Sequence, residues 1–340
     1  MSPHRFGLIG YGHWGKNLAR AVVNHPQATL ASIADAGEKG RAAAKAAHPT
    51  AEVIGDAETI IADKSLTAIV ITSPAATHFP LALRAIEAGK HVLITKPVTE
   101  TAAQAAKLRD AAAQRGVAAV VDHTFLYHPC VTRLKTALTE GWLGAPLIYD
   151  TVRTGLGIYK VDADIIADLA VHDLAIMDYL FGAPQFIAAQ SYAAVAGFLP
   201  DNALITATYA SGLRVHIRSS WLSPLKQRLA VLVGAKQMIV WDDALADQRL
   251  RAFDSGVDLL PAAETAGRAP LSYRNGESRT LPVPDIEPLR AEVDDLIACM
   301  TSGKKAISSL DAASRVMAAV EACQQSAARG GIQVAFPSVT

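Results

Sequence analysis

The chain has 340 residues, 51% of them hydrophobic, which is enough apolar material for about two buried cores and excludes a disordered chain. Its 32 Lys and Arg residues balance 32 Asp and Glu residues, so no global field is available to hold nucleic acid or an acidic membrane surface. Three scattered cysteines without a Cys-x-x-Cys pair favour a reducing compartment over a disulfide scaffold. No apolar run approaches the roughly 20 residues that span a bilayer, and we expect a cytoplasmic protein.

The first 122 residues alternate short apolar runs with segments of helical period. Strands are predicted at residues 6–9, 30–34, 68–72, 92–95 and 117–121. One helix is expected over residues 77–88, before Gly89, and another over residues 100–114, with Thr99 as its cap and Gly116 at its end. Nearly continuous apolar strands separated by helices indicate a doubly wound parallel sheet.

The pattern changes after residue 122. Helices are predicted at residues 130–140, 168–181, 288–300 and 310–328, and strands at residues 147–152, 186–194, 204–209, 213–221, 229–233 and 238–241. Turns such as Ser211-Gly212 join the strands, so antiparallel pairing is expected. Residues 255–287, rich in Pro, Gly and charge, are expected to form an irregular surface segment.

Two domains follow from this change of pattern. Residues 1–122 are predicted to form a doubly wound α/β domain. Residues 123–340 are predicted to form an α+β domain.

A glycine-rich turn, Gly10-Tyr11-Gly12-His13-Trp14-Gly15, follows the first predicted strand and opens a helix. In that setting Gly10 allows the tight turn, Gly12 lets the backbone approach a pyrophosphate, and Gly15 permits close packing of helix on strand. Free backbone amides, including those of His13 and Trp14, would then face the ligand at the positive end of the helix. The turn therefore predicts a dinucleotide site.

The residue expected to contact the ribose is Asp35, twenty residues after Gly15 at the end of the second predicted strand. A carboxylate there can accept hydrogen bonds from the ribose hydroxyls and would repel a 2′-phosphate, so NAD is favoured over NADP. Lys39 and Arg41 lie close behind and could pair with a 2′-phosphate, which keeps NADP as an alternative.

A lysine stands where the strand at residues 92–95 ends. Because active sites of such sheets lie beyond the carboxyl ends of the strands, Lys96 is a candidate to point into the cofactor cleft. Pro97 restricts Lys96 to extended geometry and can adopt a cis bond. The alternative is a lysine that merely faces solvent.

Two further segments are expected near the same edge. Ser73, Pro74 and His78 follow the strand at residues 68–72 and are candidate cofactor contacts. His123 and Tyr127 follow the last strand of the first domain and are candidate substrate contacts, with aromatic packing as the alternative.

Asp168 and His172 are four residues apart in a segment of helical period, so they share one helix face. Such a pair can hold a protonatable imidazole beside a carboxylate. The alternatives are that Asp168 caps the helix and that His172 is a buried, satisfied histidine. A zinc site is weakly supported because no His-Glu-x-x-His or cysteine-rich spacing accompanies the pair, so no metal is predicted.

Taken together, the turn at Gly10, Lys96-Pro97 and the Asp168-Leu-Ala-Val-His172 segment make the chain similar to the glucose-fructose oxidoreductase / inositol dehydrogenase / MocA (Gfo/Idh/MocA) oxidoreductases. The segments from His123 to Pro129 and from Gly155 to His172 resemble the subgroup that contains UDP-N-acetylglucosamine 3-dehydrogenases.

The resemblance implies a Rossmann domain followed by a domain with a large, open, mostly antiparallel sheet, often used for assembly into homodimers or homotetramers. It also implies that Lys96 matches the lysine of the family's Glu-Lys-Pro motif and that Asp168 and His172 match its Asp-x-x-x-His pair. Thr95 departs from that motif, which usually has an acid there, so the electrostatic support of Lys96 is expected either to be weaker or to come from elsewhere. Lys160 and Ala167 stand where an arginine and a tryptophan are expected in the closest sugar-nucleotide members, and Lys160 is a candidate substrate contact.

The expected reaction is hydride transfer between a nicotinamide and a secondary alcohol or ketone of a sugar or nucleotide sugar. His172 would take the hydroxyl proton, because a histidine pKa of about 6.5 suits both directions, and Asp168 would orient the ring. Lys96 would stabilise negative charge on the same oxygen. The reverse assignment, with Lys96 as the base, stays open and would need desolvation to favour its neutral amine.

The substrate and its contacts stay open in the sequence. Four cations could pair with substrate phosphates, with ordinary surface charge as the alternative for any one of them: Arg153, Lys160, Arg218 and Lys226. A free polyol or inositol is an alternative substrate. A non-catalytic dinucleotide-binding regulator is an alternative to an enzyme.

Overall fold

The computed structural model describes residues 3–161, 163–259 and 271–337. These residues divide into two units. The first unit runs to residue 128 and takes in residues 286–318, and the second unit contains the rest of the described chain. Across the described ranges, no helix is both long enough and apolar enough to cross a membrane.

The elements alternate regularly as far as residue 122. They are β1 (His4–Ile9), α1 (His13–Val23), β2 (Ala28–Ala34), α2 (Glu38–Ala47), β3 (Glu52–Ile54), α3 (Ala57–Ala62), β4 (Ala68–Ile71), α4 (His78–Glu87), β5 (His91–Thr95), α5 (Ala102–Arg115) and β6 (Ala119–Asp122). A further set follows: α6 (Pro129–Glu140), β7 (Pro146–Thr154), α7 (Val171–Phe181), β8 (Phe186–Tyr192), β9 (Asn202–Thr208), β10 (Arg214–Ser220), β11 (Gln227–Gly234), β12 (Met238–Asp242), β13 (Leu250–Leu259), β14 (Leu271–Thr280), α8 (Pro288–Ser302), α9 (Leu310–Ala328) and β15 (Val334–Ala335).

The first unit is built on a six-stranded sheet in the order β3-β2-β1-β4-β5-β6, with every pair parallel. This confirms the predicted doubly wound sheet. Its strands are apolar on both faces, and Leu8, Ile69 and Leu93 are fully buried. The short strand β3 was not predicted, because its three residues are too few to show a period.

The cap of α5 is Thr101, so the expected cap at Thr99 is wrong. The Thr101 side chain accepts a hydrogen bond from the Gln104 backbone N–H at 3.2 Å. The Thr99 hydroxyl instead donates to the Thr101 carbonyl oxygen at 2.8 Å. Gly116 ends the helix as predicted, in the left-handed region with φ of 65°.

The second unit is built on a nine-stranded sheet in the order β14-β13-β12-β11-β7-β10-β9-β8-β15. Its strands pair antiparallel, as predicted, except for the parallel pair of β10 with β7. The parallel pair lies at the centre of the sheet, where β7 is flanked by β11 and β10, which do not follow it directly in sequence.

The sequence predicts an irregular segment at residues 255–287. This prediction is wrong for the residues of the segment that the structure describes as strands. Residues of β13 and β14 pair antiparallel from Arg251↔Thr280 to Leu259↔Leu271. The pairing across the sheet outweighs the weak strand propensity of the Gly- and charge-rich sequence. Residues 260–270 lie outside the described part of the chain.

The C-terminal helices α8 and α9 were predicted, and α9 has the bounds expected of it. The helix α8 belongs to the first unit, although 165 residues, 123–287, separate it from β6. Its buried face carries two carboxyl groups, Glu292 and Asp295, among apolar residues such as Leu296. A buried face with carboxyl groups is unusual, because a buried charge needs a partner or a proton.

The cap assignment can be tested with Thr101→Ala. The substitution leaves the Gln104 N–H without its acceptor, so the first turn of α5 should lose about 1 kcal/mol of stability. The measurement is native-state hydrogen exchange of the α5 amides. Thr139→Ala, at an exposed site in α6, is the control and should leave the α5 amides unchanged. Unchanged exchange in both variants would contradict the cap.

Candidate active site

The glycine-rich turn lies between β1 and α1, as predicted. Gly10 has φ of +94°, a conformation that a side chain would disfavour. A Cβ on Gly15 would lie 2.2 Å from the Gly10 carbonyl oxygen, whereas a Cβ on Gly12 would meet no atom within 4 Å. The glycine at position 12 therefore fills no packing need of the protein and leaves space against the first turn of α1. This open space fits the pyrophosphate of a dinucleotide.

The carboxylate of Asp35 comes directly after β2 and is fixed by the backbone. Its oxygens accept hydrogen bonds from the Tyr11 N–H at 2.6 Å and the Gly37 N–H at 2.8 Å. Arg41 Nη1 donates to the carbonyl oxygens of Asp35 and Ala36 at 3.0 and 2.7 Å. A fixed negative charge beside the turn suits a ribose diol and opposes a 2′-phosphate.

The segment after β4 contacts the chain near Pro97. The ring nitrogens of His78 lie 2.7 Å from the carbonyl oxygens of Pro97 and Ser73, and the Ser73 hydroxyl lies 2.7 Å from that of Thr77. Burial lowers the pKa of His78, and these two hydrogen bonds partly oppose that shift because they raise the pKa. A neutral imidazole donates one of them. His78 thus joins the segment that contains Ser73 and Pro74 to the peptide after Lys96, while the proposed cofactor contacts of these residues remain predictions.

Lys96 lies immediately after β5, half-buried, and its peptide bond to Pro97 is cis. The preceding residue, Thr95, is not an acid. Its hydroxyl donates a hydrogen bond to the Ile71 carbonyl oxygen at 3.2 Å. The sequence leaves the partner of Lys96 unidentified.

A carboxylate that the sequence did not predict lies near Lys96. Asp122 is the last residue of β6 and is the cross-strand neighbour of Thr95. It is buried, and it accepts hydrogen bonds from the indole N–H of Trp14 and the hydroxyl of Thr124. Its position at the carboxyl end of a parallel strand is the signal that could have identified it.

Trp14 therefore belongs both to the dinucleotide turn and to this carboxylate. Its side chain is 38% exposed, although its N–H is directed to Asp122. His13, the first residue of α1, is exposed at the helix N-terminus. The predicted cofactor contacts of both residues are compatible with these positions.

The two candidate substrate residues that follow β6 are buried. His123 is 3% exposed, and neither ring nitrogen has a hydrogen-bond partner among the described residues. Burial and then the nearby Lys96 ammonium lower the pKa of His123 to about 4, so its ring is neutral at neutral pH. The Tyr127 hydroxyl donates to Asp295 at 2.8 Å and accepts from the Ser308 N–H at 3.3 Å. The Tyr127 contacts favour the packing alternative over a substrate contact.

In the second unit, the segment with Asp168 and His172 is not a plain α-helix. A π turn covers Ile166–Ala170 and contains Asp168, and α7 starts at Val171, so His172 lies in the first turn of α7. Such π turns are frequent at functional sites. Lys160 Nζ lies 2.7 Å from the Asp168 carboxylate, which brings two of the predicted site residues together.

One cation that was considered for substrate phosphates is not free for that role. Arg153 is buried and donates two hydrogen bonds, of 2.7 and 3.1 Å, to Asp173 on α7. Its burial and its pairing with Asp173 do not support Arg153 as a phosphate partner, and it is not a surface charge either. Arg218 and Lys226 are exposed. The ion pair fixes α7 against β7, because it satisfies two buried charges with two hydrogen bonds.

The sheet order, the turn and the acid after β2 define a dinucleotide-binding oxidoreductase fold. Two family models match the chain: the oxidoreductase family with an NAD-binding Rossmann fold at residues 4–123, and the GFO/IDH/MocA C-terminal domain at residues 131–240. Together they cover about two thirds of the chain, which belongs to the Gfo/Idh/MocA oxidoreductase family.

Two curated relatives show different extents of similarity. The oxidoreductase YdgJ of Escherichia coli, whose function is uncharacterised, is 37% identical over 148 residues, which are 43% of this chain and 42% of that protein. The UDP-N-acetylglucosamine 3-dehydrogenase of Acidithiobacillus ferrooxidans is 29% identical over 270 residues, 77% of this chain and 80% of that enzyme.

A solved structure agrees in fold. The oxidoreductase of Agrobacterium radiobacter, solved with NAD+, L-tartaric acid and magnesium, has a TM-score of 0.83 and 19% sequence identity. The match covers 98% of this chain and 99% of that one.

The two glycines of the turn give a paired test. Gly12→Ala meets open space, so we expect unchanged stability and a dissociation constant for NAD at least about tenfold higher, or roughly 1.4 kcal/mol. Gly15→Ala forces a clash with the Gly10 carbonyl, so it should lose about 1–3 kcal/mol of stability. Calorimetric titration and thermal unfolding measure the two effects. Unchanged NAD affinity in Gly12→Ala would contradict the turn's role.

Proposed function

We propose that this protein is an NAD-dependent oxidoreductase that interconverts a secondary alcohol and a ketone of a sugar or nucleotide sugar. The observation that carries the proposal is the position of Lys96. It follows β5 at the sheet edge where the turn after β1 and Asp35 after β2 also lie. We expect the nicotinamide cofactor to bind at this edge of the sheet. A cation at the same edge can polarise an oxygen of the substrate.

For the substrate, we propose a nucleotide sugar of the kind used by a UDP-N-acetylglucosamine 3-dehydrogenase. The similarity over 80% of that enzyme's length supports this class. Arg218 and Lys226 are exposed cations in the second unit that can pair with phosphates. A free polyol such as an inositol is the alternative, since it needs no phosphate partners.

NAD, when bound, supplies the hydride acceptor or donor. The chain's residues that would hold it are the amides of the Gly10–Gly15 turn, the carboxylate of Asp35 and the segment from Ser73 to His78. The backbone hydrogen bonds to Asp35 keep its carboxylate in place before a ribose arrives. Preorganisation of this kind lowers the entropy cost of binding.

The protein's own chemistry in this proposal is the handling of one proton. The substrate hydroxyl must lose its proton as its carbon is oxidised, because a free alkoxide is too costly near neutral pH. His172 accepts that proton, Asp168 stabilises the cationic ring, and Lys96 donates a hydrogen bond to the same oxygen. Lys160 Nζ lies 2.7 Å from the Asp168 carboxylate, and this contact supports Lys160 as the proposed substrate contact beside that carboxylate.

We also propose a cytoplasmic homodimer or homotetramer that assembles through the nine-stranded sheet. Large apolar side chains exposed on its strands, such as Leu147, Leu204 and Tyr273, support this assembly.

The cofactor preference is tested by titrating NAD(H) and NADP(H) into the wild-type protein and Asp35→Ala. We expect tighter binding of NAD(H) by the wild type, because the carboxylate repels a 2′-phosphate. In Asp35→Ala the preference should shrink through weaker NAD(H) binding. Equal binding of both cofactors by the wild type would contradict the role of Asp35.

The base is tested with His172→Ala. Turnover of a nucleotide sugar should fall by about 10²- to 10⁴-fold, the usual contribution of a general base, while NAD affinity stays unchanged. His216→Ala, at an exposed histidine of the same unit, is the control and should keep full turnover. Steady-state rates across a panel of nucleotide sugars and inositols provide the measurement. Full turnover in His172→Ala would remove this histidine from the mechanism.

A further inference from the structure

The first unit contains a group of buried polar side chains behind Lys96 that the proposed reaction does not use. Its centre is Asp122, at the end of β6, with Glu292 and Asp295 on α8. Asp122 is 2% exposed and Glu292 is fully buried. Two buried carboxyl groups cannot both stay ionised at close range, because each charge loses its hydration and repels the other.

Asp122 is the member of the pair that the protein stabilises as an anion. The indole N–H of Trp14 and the hydroxyl of Thr124 donate to its two different oxygens. Donors directed at both oxygens favour the charged carboxylate. Burial raises the pKa of Asp122, and these hydrogen bonds and the Lys96 ammonium oppose that rise.

Glu292 is the member that keeps a proton. Neither of its oxygens receives a hydrogen bond from a donor in the described ranges. Its carboxyl group contacts Asp122, and a protonated Glu292 donates to that carboxylate. Burial, followed by the charge of Asp122 and this hydrogen bond, raises the pKa of Glu292 well above its ordinary value.

Among the other titratable groups around the pair, Asp295 carries a negative charge that also raises the pKa of Glu292, and that charge has a cation of its own. Asp295 is paired with the Lys304 ammonium at 2.8 Å and also accepts from Tyr127. The Tyr127 phenol is neutral, because burial raises its pKa. His123, next to Asp122 in the chain, is neutral as well. The Lys96 ammonium, which follows the cross-strand neighbour of Asp122, acts on the charge of Asp122.

We propose that Asp122 is a positioning residue for Lys96, a carboxylate that orients its ammonium and keeps it protonated, and that Glu292 holds the proton of the carboxyl pair. Three observations carry this: the register that places Asp122 beside Thr95, the two donors on Asp122, and the absence of donors on Glu292 within the described chain. The relevance of this arrangement to catalysis rests on the proposed function of Lys96.

A consequence is that the dinucleotide turn and the lysine share one anchor. Trp14 belongs to the turn, and its N–H holds the carboxylate that faces Lys96. A shift of the turn on cofactor binding would therefore reach Lys96 through one hydrogen bond and one charge pair. The sequence left open whether Lys96 is supported by a residue other than that at position 95. In this proposal, Asp122 is that residue.

The test measures the protonation of Lys96 directly and needs no substrate. Competitive acetylation of lysines is followed by peptide mass spectrometry over a range of pH, with exposed Lys45 and Lys107 as internal references. In Asp122→Asn, the pH midpoint of Lys96 labelling should move about one unit lower, since a nearby anion favours the charged amine. The midpoints of Lys45 and Lys107 should not move.

Glu292→Gln is the matched control. Its side-chain amide keeps a donor for Asp122 and adds no charge, so the Lys96 midpoint should stay where it is in the wild-type protein. A shift in Glu292→Gln without one in Asp122→Asn would overturn the assignment by placing the charge on Glu292. No shift in either variant would overturn the link to Lys96.

A second measurement serves if Asp122→Asn does not fold. Infrared spectroscopy of the wild-type protein at neutral pH should show the absorption of a buried protonated carboxyl group, which Glu292→Gln should lose. Absence of that absorption from the wild type would overturn the shared proton. Both readouts are independent of turnover, so failure of the proposed reaction would leave them interpretable.

Discussion

The parallel alignment of β1, β2, β4, β5 and β6 is the constraint that the first unit depends on. Because all these strands run in one direction, the residues that follow them gather at one edge of the sheet. The Gly10 turn, Asp35, Lys96 and Asp122 all reach that edge in this way. Residues far apart in sequence become neighbours without any side chain having to bring them together, and backbone hydrogen bonding supplies the positional precision.

Buried charge is the cost of gathering polar groups at such an edge. An isolated carboxylate loses several kcal/mol of hydration when it is buried, so it needs donors, a cation or a proton. The structure uses each of these solutions within one neighbourhood. Asp122 has donors and a cation, Asp295 has the Lys304 ammonium, and Glu292 has a proton. In the second unit, Arg153 and Asp173 solve the same problem as a doubly hydrogen-bonded pair.

The sequence predicted those features that depend on local pattern. Apolar runs and capping glycines located the sheet of the first unit and the full extent of α9, and glycine spacing located the turn with Asp35. The features it missed depend on pairing over long distances. Glu292 lies in an ordinary amphipathic helix, and nothing local shows that this helix packs with the first unit. The strands β13 and β14 were missed for the same reason, since their composition favours loops until they pair.

The neighbourhood of Lys96 also shows why a single motif position is a poor guide to electrostatics. Thr95 directs its hydroxyl to the Ile71 carbonyl, and the acid nearest in sequence register is on the adjacent strand. A carboxylate one strand away can act on an ammonium as well as one in the same strand, because strands of a sheet are only about 4.8 Å apart. The charge that matters is set by the sheet's geometry together with the protonation of Glu292. The residues next to Lys96 in the sequence therefore do not identify its counter-charge.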